Sequence, residues 1–157
     1  MPNWVKSTLD NALLNVLARV LVTYLYWSSG LEKLVGFHAA AIELKQAGLP
    51  APQMLAAALI FTQLTGSLLV IRGGRRAWLG AGGLAVFTLI TIPIAHRFWD
   101  MPPSQRLTEM YLVREHLSLC AGLFFTAAVC ARSPGAGSSA PRPGPVDRPV
   151  RAAPREP

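Results

Sequence analysis

Four apolar runs alternate with short polar segments along residues 1–131, at positions 11–31, 53–71, 77–95 and 117–131, the last extending back through Tyr111. A hydrocarbon core about 30 Å thick takes about 20 helical residues to cross, and these runs approach that length. They are apolar nearly all the way round a helical wheel rather than along one stripe, which separates them from the amphipathic helices of a water-soluble core. The pattern predicts an all-α membrane protein: a four-transmembrane-helix bundle with short loops over residues 1–131, followed by a disordered, Pro/Arg-rich cytoplasmic tail over 132–157. A basic residue, Lys6, before the first run also fits a signal peptide. However, Arg19 interrupts the run, Tyr24-Leu25-Tyr26-Trp27 continues it, and no small-residue cleavage site follows, so the segment reads as a retained span.

Turn chemistry refines this outline. Gly48 is expected to end a short helix over 38–47 in the first loop, and Pro50 and Pro52 to set an extended approach to the second run. Pro93 removes one helical hydrogen bond and is expected to bend the third helix near its end. Gly66 and Ser67 on the second run, Gly80, Gly82, Gly83, Thr88 and Thr91 on the third, and Ser118, Gly122 and Thr126 on the fourth are expected to let helices approach closely and share hydrogen bonds.

Polar residues within the runs carry the candidate chemistry. Asn11, Asn15, Arg19, Thr23, Tyr26, Gly30 and Lys33 recur every three or four positions, a spacing that places them on one face of the first helix, predicted to look into the bundle. Arg19 and Gln63 each lie about eight residues from the same end of their spans, or about 12 Å deep, and are expected to pair. An arginine at that depth costs at least about 2.5 kcal/mol on insertion scales. Two roles stay open for it: a clip holding helix one to helix two, or a ligand contact. A second cluster gathers at the opposite membrane face, where Glu32 and Lys33 end the first run, His96, Arg97, Phe98, Trp99 and Asp100 follow the third, and Arg114, Glu115 and His116 open the fourth. Histidine beside carboxylate and arginine can relay protons to a quinone headgroup, which makes His96, Arg97, Trp99, Glu115, His116 and Lys33 the candidate ligand-binding set. Interfacial anchoring and ion pairing explain the same residue types equally well. His38 is expected to be simply solvated.

Composition agrees with the pattern. Hydrophobic residues make up 52% of the chain and charged residues 15%, well below the roughly 25% charge of average soluble domains, which argues against a soluble enzyme or a disordered protein. The net charge of +7 would suggest nucleic acid, but the basic residues sit between apolar runs and in the tail, where membrane topology accounts for them. Arg72, Arg75 and Arg76 crowd one turn while other positives are spread over longer loops, so both termini are expected in the cytoplasm. Cys120 and Cys130 are ten residues apart on one predicted helix, about 15 Å along its axis and beyond the roughly 7 Å Cα separation a disulfide tolerates. No P-loop, dinucleotide fingerprint, zinc-protease, nucleophile-elbow or covalent-haem motif occurs, and no metal site is expected.

Several segments, taken in order, resemble the DoxX family: Arg19 in the first run, Ser29-Gly30-Leu31-Glu32-Lys33-Leu34 at its exit, Gly48-Leu49-Pro50-Ala51-Pro52, Gly73-Gly74-Arg75-Arg76-Ala77, and His96-Arg97-Phe98-Trp99-Asp100. The resemblance spans about residues 12–131. It implies a four-helix protein of the bacterial cytoplasmic (inner) membrane, in a family where most members lack an assigned activity. Some relatives are linked to quinone-dependent thiosulfate oxidation and others to membrane redox or thiol-stress complexes. Arg19, Lys33 and the stretch from His96 to Trp99 match the family pattern. Two positions depart from it: Gln63 stands where the family usually has glutamate, and Glu115-His116 where it usually reads Lys-Asn. The loss of that acid removes a proton-handling group and weakens a catalytic role.

The resulting expectation is a DoxX-like auxiliary subunit of a quinone-linked membrane redox complex, with catalysis by the isolated chain left open and disfavoured. It has no covalently bound cofactor, quinone as candidate ligand, and a membrane or peripheral oxidoreductase, a second copy of itself and the lipid bilayer as candidate partners. The rival reading is a non-catalytic membrane scaffold or assembly protein whose polar groups only hold the bundle together.

Overall fold

A computed structural model describes residues 1–132, and the expected tail beyond them lies outside the described residues. The described chain is helical throughout: α1 (Asn3–Leu9), α2 (Ala12–Val22), α3 (Tyr24–Val35), α4 (Phe37–Gln46), α5 (Pro52–Arg72), α6 (Ala77–Ala95) and α7 (Pro103–Arg132), with 3₁₀ turns at Gly74–Arg76 and Phe98–Asp100. Three stretches are long and apolar enough to cross a membrane, Pro52–Arg72, Gly74–Asp100 and Pro103–Ala131, and Ala12–Val22 is a shorter apolar helix.

The first predicted span is therefore two helices placed end to end. Asn11 does not join the inward polar face; it caps α2, its Oδ1 accepting from the amides of Leu13 at 2.9 Å and Leu14 at 3.1 Å. Thr23 separates α2 from α3. Its hydroxyl donates to the Arg19 carbonyl at 2.7 Å, and the Trp27 indole donates to the Val20 carbonyl at 3.1 Å. A threonine hydroxyl bonded back to the preceding turn commonly bends a helix, and this one sits at the break between α2 and α3. Farther along the same face Thr23, Tyr26 and Gly30 are buried, as their spacing predicts.

The short helix expected over 38–47 is α4. It ends in a Schellman motif: Gly48 takes φ +73° and the Leu49 amide bonds the Leu44 carbonyl at 3.0 Å. Pro52 then occupies the first turn of α5, where a missing amide hydrogen costs nothing. The last helix starts at Pro103, well before the predicted 111–117, because residues 103–116 are polar on too many faces to register as an apolar run. Arg114, Glu115 and His116 consequently sit about three turns inside α7 rather than at its start.

The helices α5, α6 and α7 pack as successive neighbours, with α3 and α4 against α5 and α2 closing against α5 and α7. The core is Tyr26, Val70, Ala81, Leu84 and Leu123. Glycine sets the α5–α6 approach: a Cβ on Gly80 would lie 2.5 Å from the Gly66 carbonyl oxygen, and one on Gly66 would lie 2.8 Å from Leu84 Cδ2. Gly82 and Gly83 behave differently from expectation. They are exposed with nothing within 4 Å of a would-be Cβ, because α6 turns that face away from its neighbours.

Candidate functional site

At the end of the bundle opposite the Arg72–Arg76 turn, α3, α5, α6 and α7 diverge around a cavity of about 430 Å³. Its volume falls within the roughly 300–1,000 Å³ of small-molecule pockets. The walls are mostly apolar: Leu25 from α3, Leu55 and Leu59 from α5, Phe87, Ile90 and Ile94 from α6, with Leu44 and Leu49 brought side by side by the Schellman turn. Polar groups enter from Tyr26, Ser29, Lys33, Gln63, Thr88, Thr91 and His116.

Two hydrogen-bonded groups organise these polar atoms. Lys33 Nζ donates to Ser29 Oγ at 2.7 Å, and Gln63 Nε2 donates to the same oxygen at 3.4 Å. Gln63 is only 6% exposed, and its Oε1 is buried without a partner. Across the cavity Tyr26 and Thr88 share a 2.6 Å hydroxyl contact, and the Thr88 hydroxyl also reaches the Leu84 carbonyl at 2.8 Å. If that hydroxyl donates to the carbonyl, the Tyr26 phenol is the donor to Thr88.

Behind the cavity wall, His96 Nδ1 lies 2.8 Å from Glu109 Oε2, and the rings of His96 and His116 are 4.9 Å apart. Glu109 and His116 are seven residues apart, about two turns of α7, so one helical face presents both to His96. His116 Nδ1 is 2.6 Å from the Leu112 carbonyl. A carbonyl only accepts, so Nδ1 carries the hydrogen and a neutral His116 keeps Nε2 as an acceptor.

The expected residues thus divide. Lys33 and His116 line the cavity and His96 stands behind His116, whereas Arg97, Trp99 and Glu115 are exposed and line no part of it. Trp99 packs edge-on against Phe98 with ring centroids 5.2 Å apart, and Arg114 lies over the Tyr111 ring at 5.5 Å. The expected Arg19–Gln63 pair does not form: Arg19 Nε donates to the Ile71 carbonyl at 3.1 Å, while Gln63 faces Ser29. The antiparallel register decides this. Arg19 lies level with residues 71–73, and residues 29–30 lie level with 63–64. Counted from Asn11, Arg19 has the same depth as Gln63, but α2 meets α5 at that helix's carboxyl end, so Arg19 is level with Ile71 instead. Glu109 was not foreseen, although its spacing from His116 was readable once the fourth helix was known to start at Pro103. Among the described residues no three His, Cys, Asp or Glu gather in a way that would hold a metal ion.

Length and apolarity define a multi-pass membrane helix bundle, with a mostly apolar cavity at one end of it. The chain belongs to the DoxX family, whose model matches residues 14–97. No curated protein and no solved structure matches it. The matched segment includes Arg19, Lys33, Gln63 and His96 but stops short of α7, so His116 and Glu109 belong to the part outside the match.

Proposed function

We propose that this DoxX protein is an auxiliary subunit of a quinone-linked redox complex in the bacterial cytoplasmic membrane, seating a quinone headgroup in the cavity between α3, α5, α6 and α7. The observation that carries the reading is the cavity itself: an apolar chamber with Lys33 and His116 on its wall and the His96–Glu109 pair packed behind His116. A quinone ring offers carbonyl oxygens, which accept from the Lys33 ammonium, while its tail matches the leucine and isoleucine walls. Electrons come from a partner oxidoreductase or from quinone itself. In this reading α2 and α3 together form the first of four spans, both termini face the cytoplasm because Arg72, Arg75 and Arg76 crowd one turn, and the cavity lies near the outer face.

The test is the quinone content of tagged protein purified in mild detergent, for wild type and His116→Ala in parallel. Near-stoichiometric quinone in wild type, reduced several-fold in a monodisperse variant, supports the reading. Wild type without quinone, in detergent that preserves its lipids, overturns it in favour of a membrane scaffold.

A further inference from the structure

Where α5 turns into α6, four arginines converge with no carboxylate among them. Arg72, Arg75 and Arg76 are exposed and, with Leu69 and Gly73, line a hollow of about 330 Å³. Arg19 borders a second hollow of about 200 Å³ between α2 and α7, walled by Ala18, Phe125 and Val129. The two hollows meet at Gly73, against which the Arg19 guanidinium lies. Among the described residues the one ion pair joins His96 to Glu109 at the other end of the bundle, so none of these arginines has a carboxylate within ion-pair distance.

Donors here outnumber acceptors. Arg19 uses Nε on the Ile71 carbonyl, and among the described residues its two Nη groups meet no acceptor. The guanidinium groups of Arg72, Arg75 and Arg76 likewise make no hydrogen bond among the described residues. Paired guanidinium N–H groups fit the oxygens of a phosphate, which only accept. Loop charge sets topology wherever its side chains point, so topology alone does not require an arginine from α2 to reach the same turn. A zwitterionic headgroup would bring its own ammonium among four guanidinium groups with no carboxylate to receive it. Phe125 and Val129, both exposed beside Arg19, offer an acyl chain a surface that a free phosphate ion does not use.

We propose that this end of the bundle is a binding site for an anionic phospholipid, whose phosphate pairs with Arg19 and the Arg72–Arg76 turn while one acyl chain lies in the groove between α2 and α7. Basic hollows between membrane helices suit such headgroups, because charge attraction and tail burial act on the same molecule. The site lies at the opposite end of the bundle from the cavity assigned to quinone, and it stands or falls independently of that reading.

The experiment titrates the full-length protein, delipidated in mild detergent, with dioleoyl phosphatidylglycerol or dioleoyl phosphatidylethanolamine, and counts bound lipid by native mass spectrometry. The two lipids share their chains and differ in headgroup charge. The anionic lipid is expected to bind about tenfold more tightly. Arg72→Gln, Arg75→Gln and Arg76→Gln combined are expected to remove most of that preference, and these exposed side chains leave the core untouched. Arg97→Gln with Arg106→Gln, which takes positive charge from the exposed loop region at the other end, is expected to keep it. The wild-type comparison stands without any variant. Equal affinities, no binding of either lipid, a preference that survives the triple substitution, or an equal loss in the outer pair overturns the proposal. Inorganic phosphate is the remaining arm: weak competition is expected, and displacement of the lipid at equal concentration overturns the lipid as occupant in favour of a free phosphate.

Discussion

Arg19 on α2 reaches across to the carboxyl end of α5, donating from Nε to the Ile71 carbonyl at 3.1 Å, with its guanidinium against Gly73. The last carbonyls of a helix lack intrahelical partners and carry its negative dipole end, so a cation there is favoured twice over. Gly73 takes φ +71°, and a Cβ on it would lie 3.0 Å from Arg19 Nη1. Arg19 therefore ties the first predicted helix to the second, as a clip would, and its side chain also borders a separate cavity of about 200 Å³ with Phe125 and Val129.

Arg19→Ala is expected to destabilise the bundle by about 1.5–3 kcal/mol, the usual worth of a hydrogen bond to a charged group. Gly73→Ala adds strain at a left-handed position, about 1–3 kcal/mol. Thermal unfolding in detergent checks both, and an unchanged midpoint for Arg19→Ala would rule out the clip.

Gly80 and Gly83 are a matched pair on one helix. Gly80→Ala forces a methyl toward the Gly66 carbonyl and Leu69, and should cost about 1–3 kcal/mol as overpacking. Gly83→Ala meets open space and should be neutral or raise stability by up to about 1 kcal/mol through helix propensity. Size-exclusion profiles after graded heating separate the two, and equal losses would contradict the α5–α6 packing described above.

Tyr26→Phe removes the phenol that meets Thr88 at 2.6 Å but leaves the Thr88 hydroxyl its bond to the Leu84 carbonyl. The expected cost is about 1 kcal/mol. In a double-mutant cycle with Thr88→Val the two effects should not add, because they share one interaction. Strict additivity would mean the hydroxyl pair contributes nothing.

Arg97→Ala and Glu115→Ala remove exposed groups that line no part of the cavity. Both should retain wild-type levels of any co-purifying ligand, in contrast to His116→Ala. Loss of ligand in the Arg97 or Glu115 variant would move the headgroup site out to the loop and α7 surface.

Orientation is checked by labelling. With Cys120 and Cys130 first replaced by alanine, Arg75→Cys in the exposed turn should react with a membrane-impermeant thiol reagent only after cells are opened. Reaction in intact cells would invert the topology.

The helical, membrane character of this chain was legible from residue order alone, because spanning lipid demands long apolar runs whose backbone bonds close within each segment, and such runs are local in sequence. The α4 helix, the Gly48 turn and the buried stretch of Thr23, Tyr26 and Gly30 were readable for the same reason: each depends on residues within a few positions. Which polar residues meet was decided only by tertiary structure. Arg19 found Ile71 rather than Gln63, His96 found Glu109, and Gln63 was left with an empty acceptor beside Ser29, because the register between antiparallel helices follows from where helices start, break and touch. Thr23, Pro103 and the Gly66–Gly80 contact set those positions, and a shift of a few residues along a helix exchanges one side-chain partner for another while leaving the apolar pattern unchanged.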